Sequence, residues 1–172
     1  QYGFDQVINY IIDDYVIEDD LCLVEETENS IQKRIDQSKL LSIGAEVPNI
    51  IMPDINGEVI DLSEVESDKT LIVFYSSQCP HCQTLLPQLN EFNKQQNDLK
   101  IFSISLDNNR EDWIKFVKDN KLELIHINDP NGWDGHLASE FYIYATPTMF
   151  LLDQDKIIVG KPITFQELKR YF

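Results

Sequence analysis

The sequence predicts an α/β fold, with a central mixed sheet and helices on both faces. Strand-like and helix-like segments alternate from Leu71 to Ile127, the pattern of a parallel-type sheet with crossover helices. A closing hairpin, residues 149–152 and 156–159 around Asp153-Gln154-Asp155, adds antiparallel edges. The apolar run Thr70-Leu71-Ile72-Val73-Phe74-Tyr75 reads as the buried central strand. It hands over directly to a helical stripe of Cys82, Leu85, Leu86, Leu89 and Phe92.

Taken in order, Phe4, Val7, Ile8, Ile11, Ile12, Tyr15 and Val16 recur at helical spacing, and this amphipathic helix ends by Glu18-Asp19-Asp20. Cys22 lies in a short apolar run and reads as a small buried hydrophobe. Ser30 is placed to cap a second helix, with Ile31, Ile35 and Leu40 inward. Residues 43–48 break that helix and begin the main domain. Strands are expected at 49–52 and 58–62 around Asp54-Ile55-Asn56-Gly57, because Asn-Gly is a strong hairpin signal. Residues 62–65 read as a short helical turn. The helix from Pro80 runs to about Gln96 with Pro87 inside it, which removes a hydrogen bond and kinks the axis. A strand at 101–106 follows. Asn109 then caps a helix to about Asn120 with Trp113, Phe116 and Val117 inward. A short strand at 124–127, a loop at 129–135, a short helix or irregular segment at 137–143 and a last helix at 164–172 complete the chain.

The chain of 172 residues suggests one main domain plus an appendage, and 42% hydrophobic residues suffice for a core. No stretch approaches the roughly 18 apolar residues of a membrane span. Beginning at Gln1 without a signal peptide, the chain reads as mature or truncated. A net charge of −16 argues against nucleic acid and anionic membranes as partners. Residues 1–30 hold nine acids and no Lys or Arg, whereas the remainder holds 21 acids against 14 bases. That shift suggests an acidic helical segment at 1–42 and a main domain at 43–172, the alternative being simply a solvated acidic face.

The chemistry concentrates in Cys79-Pro80-His81-Cys82, where the central strand meets its helix. The first turn of a helix carries unpaired N–H groups and a partial positive charge, so a thiolate there is stabilised. Cys79 at the N-cap is expected to be exposed and nucleophilic. Pro80 suits the first helical position, since its missing N–H had no partner there. Cys82, one turn in, is shielded and close enough to form a disulfide with Cys79. His81 supplies a donor or partial positive charge that lowers the thiol pKa further. A low pKa stabilises the reduced form and makes the couple more oxidising. A zinc site is disfavoured because only Cys22, His81, His126 and His136 remain and none forms a second ligand pair. A purely structural disulfide is the other plain reading.

The order of a hairpin, a strand ending in Phe74-Tyr75, C-x-x-C, a helix with Pro87 five residues past Cys82, a crossover, and Tyr144-Ala145-Thr146-Pro147-Thr148 resembles the thioredoxin superfamily, in particular its TlpA-like envelope branch. The resemblance spans residues 43–172. It implies a thioredoxin-like fold with an N-terminal β-hairpin extension and a preceding helical segment. Residues 1–42 look similar to the end of a helical region that precedes such modules in some Gram-negative envelope proteins. The resemblance further implies that Pro147 is a cis-proline opposite the cysteines and that Thr146 offers its backbone to a substrate strand. The implied activity is thiol–disulfide exchange with protein thiols and disulfides and with a redox partner protein. No cofactor or metal is implied, and the implied location is the cell envelope, in the periplasm.

The sequence also departs from the pattern. Thioredoxin-type reductases carry a buried acid where Val73 stands, and some TlpA-like reductases carry a Glu where Leu85 stands. The Pro-His dipeptide matches DsbA-type oxidants, but their inserted helical domain has no room between Leu106 and Thr146. Two alternatives remain open at this level. One is a peroxiredoxin-like peroxidase, with Ser76 three residues before Cys79. The other is a non-catalytic thioredoxin-like binding module in which the cysteines are structural or hold a metal such as copper, with His126 or His136 as a further ligand where the fold brings one near.

Overall fold

The structure is a computed structural model and describes residues 25–172. The helix expected over Phe4 to Val16 and the run around Cys22 lie outside the described residues. The chain divides into two compact units, Gln1–Ser42 and Ile43–Phe172. Among the described residues, no helix is long and apolar enough to cross a membrane.

In the first unit, α1 spans Glu25–Leu40. Ser30 lies inside this helix and does not cap it. The Glu, Gln, Lys and Arg around Ser30 are good helix formers and carry the helix through it. Leu40, expected inward, is 60% exposed on the last turn of the helix. The helix is polar along most of its length, with Gln32 Nε2 donating to Asp36 Oδ1 at 3.0 Å one turn on.

The second unit opens with an antiparallel hairpin, β1 (Ile51–Pro53) and β2 (Val59–Asp61), in which Met52 pairs with Ile60. Its turn closes because the Asp54 carboxylate accepts the amides of Asn56 and Glu58 at 2.8 and 2.9 Å, while Gly57 takes a φ of 90° that favours glycine. The main sheet has five strands in the order β5-β4-β3-β6-β7. These are β3 (Lys69–Tyr75), β4 (Leu99–Ser105), β5 (Ile125–Asn128), β6 (Thr148–Leu152) and β7 (Ile158–Gly160). β3 is parallel to β4 and antiparallel to β6, so the sheet is mixed as expected. β4 and β5 are parallel, and β6 and β7 form the closing hairpin.

Successive residues of β3 face opposite sides of the sheet. Leu71, Val73 and Tyr75 pack with Cys82, Leu85, Leu86 and Leu89 of α2 (Pro80–Asn93) and with Trp113 and Val117 of α3 (Arg110–Asp119). Leu168 of the short α5 (Phe165–Leu168) joins the same cluster. Phe74 points the other way and stacks with Phe141 and Phe150, at centroid distances of 5.1 and 6.4 Å, beside α4 (His136–Glu140). Asn109 caps α3 as expected, its Oδ1 accepting the Glu111 amide at 2.9 Å.

Two helices of this unit end differently from expectation. α2 stops at Asn93, short of Gln96, because the next amides bond in tight turns to the carbonyls of Phe92 and Asn93. The last helix is α5 followed by a 3-10 turn at Lys169–Tyr171, the tightening common at helix ends. Phe172 sits past it, edge-on to Phe92 at 5.1 Å.

Leu86 is fully buried between α2 and the sheet, so Leu86→Ala should destabilise the domain by about 2–5 kcal/mol. Ile163→Ala, at a side chain 62% exposed, should move stability by no more than about 0.5 kcal/mol. Urea unfolding followed by circular dichroism measures both.

Candidate active site

β3 ends at Tyr75 and the chain turns through Ser76, Ser77 and Gln78 before α2 begins. Cys79 is the N-cap, with extended backbone at φ −83° and ψ 118°, and Pro80 opens the helix. The turn is closed by the Cys79 amide donating to the Ser76 carbonyl at 3.1 Å and by the Gln83 amide donating to the Cys79 carbonyl at 3.0 Å. Gln83 Nε2 reaches back to the Ser77 carbonyl at 2.8 Å. Cys79 is partly buried, whereas Cys82 is fully buried beneath it.

The facing wall comes from the segment before β6. Phe74 of β3 pairs with Thr148 of β6, and that register sets Thr146 and Pro147 against the end of β3. The Thr146–Pro147 bond is cis. Cys79 Sγ donates to the Thr146 carbonyl at 3.4 Å. Cys79 thus meets the Thr146 carbonyl next to the cis bond to Pro147, with Cys82 one turn along the helix. Pro80 and His81 are exposed on the first turn of α2.

Both thiols are free. They ionise very differently. Burial opposes ionisation of Cys79, but hydrogen bonds from the Cys82 amide and thiol, the Thr146 side chain and the His81 amide outweigh it. The Cys79 pKa therefore lies below the ordinary thiol value. Burial pushes the Cys82 thiol up to about 12, and the hydrogen bond with Cys79 adds to the rise. At Cys79, His81 acts through its amide, a contribution any residue with a backbone N–H at that position could make.

Sequence reasoning missed Asp107, just past the end of β4 and only 8% exposed. Its Oδ1 accepts the Ser76 hydroxyl at 2.7 Å, and its two oxygens accept the Ser77 amide at 3.1 and 2.9 Å. Oδ2 also accepts the Ser105 hydroxyl at 2.8 Å. A signal was available. An acid directly after the apolar stretch Ile101 to Leu106 marks the C-terminal edge of parallel strands, where α/β sheets place their sites.

The other candidates are engaged elsewhere. His126 is buried, its Nδ1 2.5 Å from the Ser103 hydroxyl and its Nε2 3.2 Å from the Leu122 carbonyl. His136 lies 3.6 Å from the buried Asp129 carboxylate. Asp129 also accepts the amides of Asn131 and Leu137, so the loop expected at 129–135 carries a 3-10 turn, Gly132–Asp134. Gly132 is required there, since a Cβ would stand 2.6 Å from the Leu106 carbonyl and φ is 54°. Among the described residues, no three His, Cys, Asp or Glu side chains gather as metal ligands.

A thioredoxin-like sheet with two thiols facing a cis-proline defines the class, a thiol-disulfide oxidoreductase of the TlpA-like kind. The chain belongs to the AhpC/TSA family, whose model matches residues 43–161. It is 32% identical over 130 residues to sporulation thiol-disulfide oxidoreductase A of Bacillus subtilis, a match covering 70% of this chain and 76% of that protein. It is 28% identical over 131 residues to the thiol-disulfide oxidoreductase ResA of Bacillus thuringiensis subsp. konkukian, covering 75% of this chain and 70% of that one. Among solved structures, the C-terminal domain of a putative thiol-disulfide oxidoreductase from Bacteroides thetaiotaomicron superposes with a TM-score of 0.69 at 25% identity, covering 76% of this chain and 93% of that one.

In the reduced protein at pH 7, iodoacetamide should modify Cys79 well before Cys82, as read by peptide mass spectrometry. The Cys82 pKa is raised on folding, so its contribution to stability is complete below the ordinary thiol value of 9.0 and is lost as pH rises toward about 12. The melting temperature of a Cys82→Ser variant should therefore fall less over that window than that of the reduced wild type.

Proposed function

We propose that Cys79 is the exchanging thiol and Cys82 the resolving thiol of a couple that trades electrons with other proteins. In the reducing direction, the Cys79 thiolate attacks a substrate disulfide, a Cys79–substrate S–S bond forms, and one substrate thiolate leaves. Cys82, losing its proton, then attacks Cys79 sulfur. The second substrate thiolate is released and takes up a proton, and the Cys79–Cys82 disulfide carries the two-electron oxidation. In the oxidising direction the same steps run backwards. Thr146 and Pro147 position the partner segment, and Pro80 and His81 shape the first turn that stabilises the thiolate.

The observation that carries this reading is the contrast between the two sulfurs. Cys79 is partly buried, 3.4 Å from the Thr146 carbonyl and low in pKa, while Cys82 is buried and high. A thiolate held below its ordinary pKa stabilises the reduced form, which favours the oxidising direction. The peroxidase alternative needs the Ser76 hydroxyl turned toward Cys79. That hydroxyl donates instead to Asp107 and accepts the Gln78 amide at 3.2 Å. The metal-module alternative loses support because His126 and His136 are engaged away from the cysteines.

The partners we propose are protein thiols and disulfides and a redox protein that resets the couple. The location we propose is the cell envelope, supported by the TlpA-like resemblance. Residues 1–42 are proposed as a separate acidic unit preceding the thioredoxin-like domain. The division of the chain after Ser42 and the charge shift near residue 30 support this.

Titration of the couple against glutathione tests the direction. The expected potential is closer to roughly −120 mV, an oxidant's, than to roughly −270 mV, a reductant's. Cys79→Ser should abolish both insulin reduction and thiol oxidation, and Cys82→Ser should accumulate a mixed disulfide on Cys79. A Cys79 pKa equal to that of a free thiol, with neither activity present, would sink the reading.

A further inference from the structure

The loop that delivers Cys79 to α2 is short and has two anchors. Gln83 holds the Ser77 carbonyl from the helix side at 2.8 Å. Asp107 holds the same loop from β4, through the Ser76 hydroxyl at 2.7 Å and the Ser77 amide at 2.9 Å. The carboxylate is itself fixed. Ser105 donates its hydroxyl to Asp107 Oδ2 at 2.8 Å, and that hydroxyl oxygen accepts the Asp107 amide at 3.1 Å. From β5, Asn128 Nδ2 donates to the Asp107 carbonyl at 2.9 Å and to the Ser105 carbonyl at 3.3 Å. All the donors that reach the carboxylate are hydroxyls or a backbone amide, two of them on the loop before Cys79.

We infer that Asp107 is a positioning residue of the thiol site, clamping Ser76 and Ser77 so that the first-turn amides of α2 stay aimed at Cys79 Sγ. The inference rests on the proposed exchange role of Cys79 and adds a residue to it. The physical reason is geometric. Hydrogen bonds from the His81 and Cys82 amides stabilise the Cys79 thiolate only while the N-cap holds its place, because helix-end effects fall off within one turn. A carboxylate makes stronger hydrogen bonds than a neutral acceptor, and two of its donors lie within three residues of the sulfur. Asp107 does not touch the thiol; it acts through the loop. The other ionisable groups of this neighbourhood are His81, exposed on the first turn of α2, and Cys82 on α2 and Tyr75 at the end of β3, the last two buried in the cluster between the sheet and α2.

The test uses the reduced full chain and follows iodoacetamide alkylation of Cys79 alone, by peptide mass spectrometry, across pH. Melting temperature is recorded in parallel. Asp107→Asn keeps an acceptor but loses the charge, and should slow alkylation at pH 7 by about threefold, the effect of a half-unit rise in thiol pKa. Asp107→Ala should slow it further, to about tenfold. Ser76→Ala removes one loop donor, should give a smaller slowing, and should have little further effect in the Asp107→Asn background, since both act through one clamp. If Asp107→Ala fails to fold, the Asn and Ser76→Ala variants decide. Unchanged alkylation with a lower melting temperature would show a merely structural carboxylate and overturn the inference. Faster alkylation would show that Asp107 acts as a charge against the thiolate, and would overturn it as well. A wild-type Cys79 no more reactive than glutathione takes down the exchange reading and this inference together. Normal wild-type reactivity with unaltered variants removes only the role of Asp107.

Discussion

The site depends on the pairing of β3 with strands on both of its edges. β3 is hydrogen-bonded along its length to β4 on one side and to β6 on the other. Its C-terminal end therefore has one position, and three things are set by it. Cys79 leaves from that end, Thr146 arrives opposite it because Phe74 pairs with Thr148, and Asp107 arrives beside it because Tyr75 pairs with Ser105. A slip of one residue in either register would turn the strand's side chains to the wrong face of the sheet and misplace one wall of the site. The apolar side chains of β3 are buried on both faces, against α2 and α3 on one and against Phe141 and Phe150 on the other, which is what forbids such a slip.

From that fixed end, the two cysteines diverge through a single helical turn. Cys79 stands where amides point outward with no partner of their own, and a thiolate can accept them. Cys82 is turned into the cluster formed by Leu85, Leu86, Tyr75 and Trp113, where an anion has little to solvate it. The same three-residue spacing that brings the sulfurs together therefore gives one of them the helix end and the other the core. The asymmetry that a nucleophile and a resolving thiol require follows from placement alone.

Much of this was legible because the signals are local. Cys79, Pro80 and Cys82 lie in consecutive sequence between an apolar run and a helical stripe, so strand, cap and helix could be read from one stretch. Asn109 as a cap and Asn56-Gly57 as a turn are likewise short-range. The residue that escaped at the site depends on partners distant in sequence. Asp107 meets Ser76 and Ser77 only because β4 lies parallel to β3, and sequence alone gives no such register. Ser30 looked like a cap because Ser is favoured there, but nothing in the neighbouring residues stops the helix before it. The end of α2 was overrun by three residues because Lys94, Gln95 and Gln96 are all competent helix formers, and the decision fell to local turn geometry.

The missing acids explain how the second half of an exchange has to run. Val73 and Leu85 occupy the places where related reductases hold a carboxylate, and both are buried among apolar neighbours. The nearby polar groups on that face are committed. The Tyr75 hydroxyl accepts Trp113 Nε1 at 3.0 Å, and burial drives its own pKa far up. The Ser103 hydroxyl is engaged with His126, whose imidazole burial keeps neutral. None of these groups is placed as a ready base for Cys82, so Cys82 keeps its proton while Cys79 is a free thiolate. Once Cys79 enters a mixed disulfide, its negative charge is gone and so is its hydrogen bond with Cys82, the two influences of Cys79 that hold the Cys82 pKa up. Under the proposed exchange, resolution is therefore set by the substrate's arrival on Cys79 and not by a resident carboxylate.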